Sequence, residues 1–281
     1  MVVIIPLVYI KLGFFCWLWT CPKNFLAFDQ PEPPAKLHIA FFCTLDKIIN
    51  HSKMKKLILV FAIAFSTSAI AQNILWEQTG LQVKEGYGSF VLEAIDNFYS
   101  SIEMPEGVAV TLNWVRFRPE GTETTHYLTF GGTPEGIAKL RELRKGDTYD
   151  AYSEALGKFA KITSSVSGST LMRMNVDKMG PMAQVWQWSV EDPEKFVRAF
   201  TTLIKSFPQE GYLSMGLISQ GASKAGESHY VYTTHKDYLS ALSWGPKTES
   251  QQKAFMTFQK VVNPVSDYLG TQTFYTVKTW N

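Results

Sequence analysis

The sequence has few cysteines, and all of them lie near its start. Cys16, Cys21 and Cys43 all precede Met54 in a chain of 281 residues. The chain after Met54 therefore has no thiol nucleophile and cannot form an internal disulfide. It also contains no GxSxG nucleophile elbow, no HExxH zinc motif, no GxGxxG dinucleotide fingerprint and no phosphate loop. These absences argue against nucleophilic hydrolysis, this type of zinc chemistry and nucleotide binding.

An export signal begins at Met54. This residue is followed by two lysines, an apolar run over residues 57–65, and small residues at Ala69 and Ala71. These are the three parts of a secretory signal peptide. We predict a signal peptide over residues 54–71, cleavage before Gln72, and a periplasmic or secreted protein. The apolar run is far below the ~20 residues that a membrane-spanning helix needs, so we expect no stable membrane anchor after cleavage.

Residues 1–53 precede this signal, whereas a signal peptide acts at an N-terminus. We interpret them as an upstream extension that arises from a start codon assigned too early. The alternative is a membrane segment over residues 2–20, which is apolar and aromatic apart from Lys11. That segment is about long enough to span a bilayer.

Charge gives no indication of a polyanionic partner. Lys and Arg total 27 and Asp and Glu total 25 in the whole chain, whereas 20 and 22 remain from Gln72 onward. The predicted mature chain thus has a net charge near −2, and it contains no basic run or basic aromatic stripe. We expect no nucleic-acid partner.

Two segments of the predicted mature chain resemble each other at an offset of 103 to 105 residues. The sequence Thr-His-Tyr-Leu at 125–128 is matched by Ser-His-Tyr-Val at 228–231, and Ala-Tyr at 151–152 by Ala-Phe at 254–255. Apolar residues at helical spacing occur over 91–98 in the first segment and 196–204 in the second. The predicted strands lie near 81–84, 108–117, 125–130 and 169–175, then near 185–190, 212–219, 229–234 and 271–280.

Each segment is thus predicted to be an α+β unit of order βαββ(α)αβ, the ferredoxin-like arrangement. The predicted domains span residues 72–180 and 181–281. Because such a sheet has helices on one face only, two units can pack their bare faces together within one chain. We predict two tandem ferredoxin-like repeats packed as a pseudo-dimeric α+β barrel, and a monomer in solution.

This element order and the His-Tyr strand, present as His126-Tyr127 and His229-Tyr230, resemble the dimeric α+β barrel superfamily. That superfamily includes antibiotic-biosynthesis monooxygenases, stress-responsive barrel proteins and, in fused form, haem-binding relatives. The resemblance implies a barrel fold and two enzymatic alternatives, a cofactor-free oxygenase or a haem-handling protein. Fold alone does not fix function.

The two matched histidines are the first candidate site residues. His126 and His229 each begin a strand, and each is followed by tyrosine. One interpretation is a pair of pocket residues, and the other is a strand-edge histidine kept from a common ancestor. Trp186 and Trp188 alternate along a strand and therefore share one face. They either form the aromatic wall of a ligand pocket or fill space between packed layers.

The first repeat offers a second group of candidates. Trp114 and Arg116 share one face of a strand, where the arginine either binds an acidic ligand or is simply solvated. Asn113, Trp114 and His126 resemble the residue types with which some oxygenases of the superfamily hold substrate and oxygen. Neighbouring strand residues point to opposite faces, however, so Asn113 and Trp114 cannot face the same ligand.

Metal binding has little support in the sequence. His229 and His235 are six residues apart, so their backbones stand roughly 20 Å apart on one strand and cannot share an ion. We predict no metal site and no cofactor. The superfamily resemblance implies one alternative, a haem with His235 as its axial ligand.

Together these observations predict an exported protein that binds a small apolar or aromatic molecule in an α+β barrel. Two alternatives stay open. One is the cofactor-free oxygenase or haem-handling enzyme, and the other is a structural or interaction module without a ligand. The sequence does not decide whether the protein is an enzyme.

Overall fold

The computed structural model describes residues 74–207 and 209–281. The predicted extension (1–53), the alternative membrane segment (2–20) and the predicted signal peptide (54–71) lie outside the described residues. The strands are β1 (Leu75–Val83), β2 (Ala109–Phe117), β3 (His126–Gly132), β4 (Ala160–Met174), β5 (Met182–Val190), β6 (Leu213–Gln220), β7 (His229–His235) and β8 (Ser266–Trp280).

Six α-helices connect these strands in the described ranges. They are α1 (Gly88–Tyr99), α2 (Pro134–Leu143), α3 (Asp147–Phe159), α4 (Pro193–Ser206), α5 (Tyr238–Leu242) and α6 (Glu249–Val262), which is followed by a 3₁₀ turn (Asn263–Val265). The element order is β1-α1-β2-β3-α2-α3-β4 and then β5-α4-β6-β7-α5-α6-β8. The predicted α+β class is confirmed. Within residues 74–207 and 209–281, none of the helices combines the length and the apolar character that crossing a bilayer requires.

Three strands begin five or more residues earlier than the sequence predicts. β1 begins at Leu75 where the prediction was 81–84, and β8 begins at Ser266 where it was 271–280. β4 begins at Ala160 where it was 169–175. The added part of β4 is rich in serine and threonine and lacks apolar alternation, so its side chains do not indicate a strand. Its backbone is held instead by pairing with β1, and its last two residues, Ser167 and Gly168, also pair with β6.

All strand pairs are antiparallel, and they close a barrel in the order β1-β3-β2-β8-β5-β7-β6-β4. We call β1–β4 with α1–α3 the first half, and β5–β8 with α4–α6 the second half. The β2–β8 and β4–β6 pairings join the halves. Closure leaves these eight strands without an open sheet edge.

The helices pack on the outer face of the strands in two apolar clusters. In the first half, Val91, Ile95 and Phe98 of α1 are buried against β1, β2 and β3, as their spacing predicts. In the second half, α4 buries its own stripe against β6 and β7, comprising Phe196, Phe200, Leu203 and Ile204. The Asp192 side chain caps α4 by accepting a hydrogen bond from the Lys195 N–H at 3.0 Å.

The inner face of the barrel is lined with packed side chains. Tyr127 and Phe274 meet edge to face with their ring centroids 5.4 Å apart, and the Tyr127 hydroxyl donates to Gln272 Oε1 at 3.0 Å. Trp76 meets Tyr230 edge to face at 5.2 Å. Burial raises the pKa of Tyr230 to about 12. Gly168 permits this packing, since a Cβ there would collide with the Trp76 ring and with the Leu217 carbonyl oxygen of β6.

Candidate functional site

Three of the predicted site residues lie together on the outer face where β2 meets β3 and β8. Trp114 pairs with His126 on β3 and with Tyr275 on β8. The rings of Trp114 and Tyr275 stack at 5.7 Å with an interplanar angle of 26°. The Arg116 guanidinium lies 5.7 Å from the Trp114 ring centre, and Trp114 is 38% exposed. This surface is a shallow aromatic platform.

Asn113 does not belong to that surface. It is 7% exposed, and its Oδ1 accepts a hydrogen bond from the Thr276 hydroxyl at 3.2 Å. Asn113 and Trp114 therefore lie on opposite faces of β2, as their spacing predicts. The structure does not bring Asn113 together with Trp114 and His126.

The Thr125 hydroxyl connects His126 to β1. It lies 3.1 Å from the Leu81 carbonyl oxygen, and it accepts a hydrogen bond from the Val83 N–H at 2.9 Å. The same hydroxyl lies 3.0 Å from His126 Nδ1. Burial lowers the pKa of His126.

His229 lies on the outer face of β7 and not beside His126. It is 2% exposed, and its ring packs 5.5 Å from Phe196. Its Nδ1 contacts Ser228 Oγ at 2.9 Å, whereas its buried Nε2 has no hydrogen-bond partner among the described residues. Four strand spacings separate β3 from β7 along the barrel wall, about 19 Å. The two histidines do not form one pocket.

His235 does not present a nitrogen to an axial ligand position. Its Nε2 lies 3.0 Å from the Thr233 hydroxyl, and the side chain is 7% exposed. Burial lowers the pKa of His235, and the nearby carboxylate of Asp237 partly opposes this shift. An axial histidine needs a ring nitrogen directed at an open face, so these residues do not fit a haem. Among the described residues, no group of three or more His, Cys, Asp or Glu side chains is placed to hold a metal ion.

Trp186 and Trp188 share the outer face of β5, as predicted, but they contact different groups. The Trp188 ring packs 5.3 Å from Phe196 and 5.7 Å from Tyr268, within the apolar cluster of the second half. The Trp186 ring lies 4.5 Å from Trp244, at an interplanar angle of 35°. The Trp188 ring fills space within this apolar cluster, whereas the Trp186 ring lines a cavity.

That cavity has a volume of about 390 Å³ and lies between the outer face of β5 and the three helices of the second half. Its lining is mainly apolar and aromatic, with Trp186, Phe200, Leu203, Phe207, Trp244 and Phe255 as its main contributors. Leu242, at the end of α5, is 62% exposed and also lines the cavity, which places an opening at this end of α5.

Two glutamines provide most of the polarity of the cavity. Gln209 accepts a hydrogen bond from the Trp244 indole N–H at 3.0 Å and donates to the Phe207 carbonyl at 3.0 Å. Gln184 Oε1 is buried and has no hydrogen-bond partner among the described residues. The site therefore combines an aromatic wall with glutamine side chains.

Sequence reasoning identified Trp186 and missed Gln184, Gln209 and Trp244. Gln184 lies two residues before Trp186 on one strand, so strand alternation alone places both on the same face. Gln209 and Trp244 are in loops, and only the folded chain brings them together. One feature of the sequence could have predicted a cavity beside β5. The helical pattern at Tyr238–Leu242 is short, so this helix covers little of the strand.

The solved structures that superpose on this chain have low sequence identity to it. A candidate monooxygenase from Lactobacillus acidophilus NCFM superposes with a TM-score of 0.51 and 16% identity, covering 74% of this chain and 95% of that chain. A candidate monooxygenase from Fusobacterium nucleatum gives 0.51 and 13% identity, covering 75% and 95%. A chlorite dismutase from Candidatus Nitrospira defluvii gives 0.44 and 10% identity, covering 73% and 91%.

No protein-family model and no curated protein matches the chain. Identities this low show a shared fold and do not transfer an activity. The fold common to the two candidate monooxygenases and this chain is the α+β barrel that the superfamily resemblance implies. In architecture, the chain is an α+β barrel of eight antiparallel strands in the described residues.

Proposed function

We propose that the protein binds a small apolar or aromatic molecule in the cavity beside β5. The observation that carries this proposal is a cavity of about 390 Å³ whose aromatic wall includes Trp186 and Trp244. Ligand pockets typically measure about 300–1,000 Å³ and are apolar with a few placed polar groups. An apolar cavity of about 150 Å³ already accommodates benzene.

The lining favours binding because it is already organised. The Trp244 indole is fixed by its hydrogen bond to Gln209, and Trp186 is held within a paired strand. A ligand that enters therefore orders few side chains, which lowers the entropic cost of association. The side chains of Gln184, Gln209 and Thr271, which line the cavity, are polar and uncharged.

Isothermal titration calorimetry with toluene and with indole tests the proposal directly. We expect both compounds to bind, and we expect Trp186→Ala to weaken binding at least about tenfold, as loss of a buried aromatic contact does. Ala241→Phe places a ring in the cavity and should abolish binding. Trp114→Ala is the matched control, because this tryptophan lies on β2 and does not line the cavity. Failure of both compounds to bind would favour the structural or interaction module.

We also propose how the chain is exported, divided into repeats and assembled. We still predict export through the signal peptide at residues 54–71. We also predict tandem ferredoxin-like repeats at 72–180 and 181–281, and a monomeric state. The strand orders β4-β1-β3-β2 and β8-β5-β7-β6 support the repeats, as does the pairing of Leu81 with His126 and of Trp188 with His229. N-terminal sequencing of the exported protein should begin at Gln72, and sedimentation at micromolar concentration should show a monomer.

A cofactor-free oxygenase is the second candidate, because the two structures that superpose with a TM-score of 0.51 are candidate monooxygenases. The same cavity would then hold the substrate. Dioxygen consumption in the presence of a bound aromatic compound, abolished by Ala241→Phe, would support it. Binding without dioxygen consumption would leave the binding function alone. Haem is not part of this proposal, since the surroundings of His235 do not fit it.

A further inference from the structure

The linker between the two halves begins with a residue in a rare backbone conformation. Asn175 directly follows β4, and its φ angle of 52° lies in the left-handed region. Within residues 74–207 and 209–281, it is the one residue other than glycine with a positive φ. Asparagine tolerates this conformation better than most residues do. The chain therefore leaves β4 in a turn, in which the Lys178 N–H donates to the Asn175 carbonyl at 2.9 Å.

The Asn175 side chain holds the loop that precedes β6. Its Nδ2 donates to the Gln209 carbonyl at 2.8 Å and to the Gly211 carbonyl at 3.0 Å. A rotated amide would place its oxygen against both carbonyl oxygens, so the two hydrogen bonds define the orientation of this group. The linker thus holds the backbone of Gln209, a residue that lines the cavity.

The Gln209 side chain connects this loop to the aromatic wall. Its Nε2 donates to the Phe207 carbonyl at 3.0 Å, and its Oε1 accepts from the Trp244 indole N–H at 3.0 Å. One partner is an acceptor and the other is a donor, so this amide orientation is also defined. Gln209 is therefore held at its carbonyl by the linker and at both ends of its amide by the cavity wall.

Trp244 lies between α5 and α6, outside the helices and strands. Its ring packs against Trp186 and Phe207, with ring centroids 4.5 Å and 5.5 Å apart. Apolar packing is non-directional, whereas a hydrogen bond depends on the angle at its donor. The hydrogen bond to Gln209 therefore sets the orientation of the Trp244 ring in the wall.

We propose that Asn175 is a positioning residue for the cavity. It holds Gln209, and Gln209 orients the Trp244 ring, so the linker between the halves controls the order of the aromatic wall. Asn175 is not among the residues that line the cavity, and its effect on a ligand is therefore indirect. The part of this inference that concerns ligand affinity rests on the proposed function, whereas the part that concerns the order of Trp244 does not.

Hydrogen exchange of the Trp244 indole N–H, followed by NMR without a ligand, tests the structural step. Its resonance is the one that Trp244→Phe removes. Asn175→Gly deletes the amide and still permits the left-handed backbone. We expect the exchange to become about tenfold faster, because two hydrogen bonds that hold Gln209 are lost. Asn175→Asp replaces the donor with an acceptor at similar size, and it serves if the glycine variant does not fold.

Asn113→Ala is the matched control. It also removes an asparagine amide, which is hydrogen-bonded to Thr276 in the first half and does not contact the cavity. The exchange of the Trp244 N–H should stay unchanged in this variant. Any general loosening of the barrel by a lost amide would appear in both variants.

Calorimetry with indole measures the effect on affinity. We expect Asn175→Gly to weaken indole binding about threefold to tenfold, because a less ordered wall must be fixed when the ligand binds. Gln209→Leu keeps the carbonyl that Asn175 holds but removes the bond to Trp244. Adding Asn175→Gly to Gln209→Leu should therefore change neither the affinity nor the exchange further.

The outcomes separate the two proposals. Unchanged exchange, or unchanged indole affinity, in a folded Asn175 variant would overturn the positioning role. Additive losses in the double variant, or equally fast exchange in Asn113→Ala, would overturn it as well. If indole does not bind the wild-type protein, the binding function is wrong, and the exchange alone decides whether Asn175 positions Trp244.

Discussion

The two helix–sheet layers of this barrel are built on similar elements, yet one is filled and the other contains a cavity. In the first half, Phe98 and Tyr152 stack with ring centroids 4.9 Å apart, and Tyr99 and Tyr149 close around them. In the second half, a cavity of about 390 Å³ lies in the corresponding layer, beside Phe255. The difference shows that a cavity can arise where one helix of a repeated packing scheme is shortened.

Helix length explains much of this difference. α2 has ten residues and α5 has five, so the second half lacks a full turn of side chains over the sheet. The filled layer also includes Arg144, whose guanidinium lies 4.4 Å from the centre of the Phe130 ring. A cation placed over an aromatic face is favourable, and its stem covers further apolar surface. No described residue of the second half performs this role over the cavity.

The largest expected effect comes from removing matched aromatic side chains. Tyr152 is 8% exposed in the filled layer, and Phe255 is its counterpart at the edge of the cavity. We expect Tyr152→Ala to lower the free energy of unfolding by about 3–5 kcal/mol, and Phe255→Ala by roughly half of that, because fewer packed atoms are lost. Urea denaturation measures both. Equal losses would show that the second layer is as well packed as the first.

A small added group should have opposite effects in the two layers. Gly136 lies in α2, and a Cβ there would be 2.5 Å from Val108 Cγ2. We expect Gly136→Ala to cost about 1–3 kcal/mol through overpacking, although alanine favours helices. Ala241→Leu extends into the cavity and should stabilise the protein by about 1 kcal/mol. Thermal unfolding of the two variants checks this contrast, and a loss at both positions would contradict it.

The features that could be predicted from the sequence are those set by the spacing of residues within one helix or strand. The stripes of α1 and α4, the His-Tyr strands and the shared face of Trp186 and Trp188 follow from spacing within single elements. The cavity does not, because Gln209 and Trp244 meet through tertiary packing of two loops. Neither does the extent of β4, whose polar residues are held by backbone pairing.

The pH dependence of the free energy of unfolding should separate the contribution of the histidines from that of the carboxylates. Burial lowers the pKa of His126, His229 and His235, so the unfolded chain takes up protons first when the pH falls below about 6.5. We expect stability to decrease from pH 7 to pH 5. Hydrogen bonding, chiefly from Lys278, holds the pKa of Asp96 below its usual range, so the stabilisation from that carboxylate is lost only below about pH 4.

Urea denaturation at several pH values measures this decrease, and His229→Phe tests its origin. Phenylalanine keeps a ring in the buried position beside Phe196 and cannot take up a proton. The variant should therefore lose less stability than the wild-type protein between pH 7 and pH 5. An unchanged pH dependence would assign the decrease to other groups.

The smallest expected effects concern the helix starts, where the halves also differ. α4 has the Asp192 cap, whereas α1 begins after Tyr87 without a side-chain cap. We expect Asp192→Ala to cost about 1 kcal/mol, because the Lys195 N–H then has no side-chain acceptor. Glu194→Gln is the matched control, since it removes only an exposed ion pair with Arg198 and should cost at most about 0.5 kcal/mol. If urea denaturation gave equal losses for the two variants, first-turn charge rather than the cap hydrogen bond would account for the stability of this helix start.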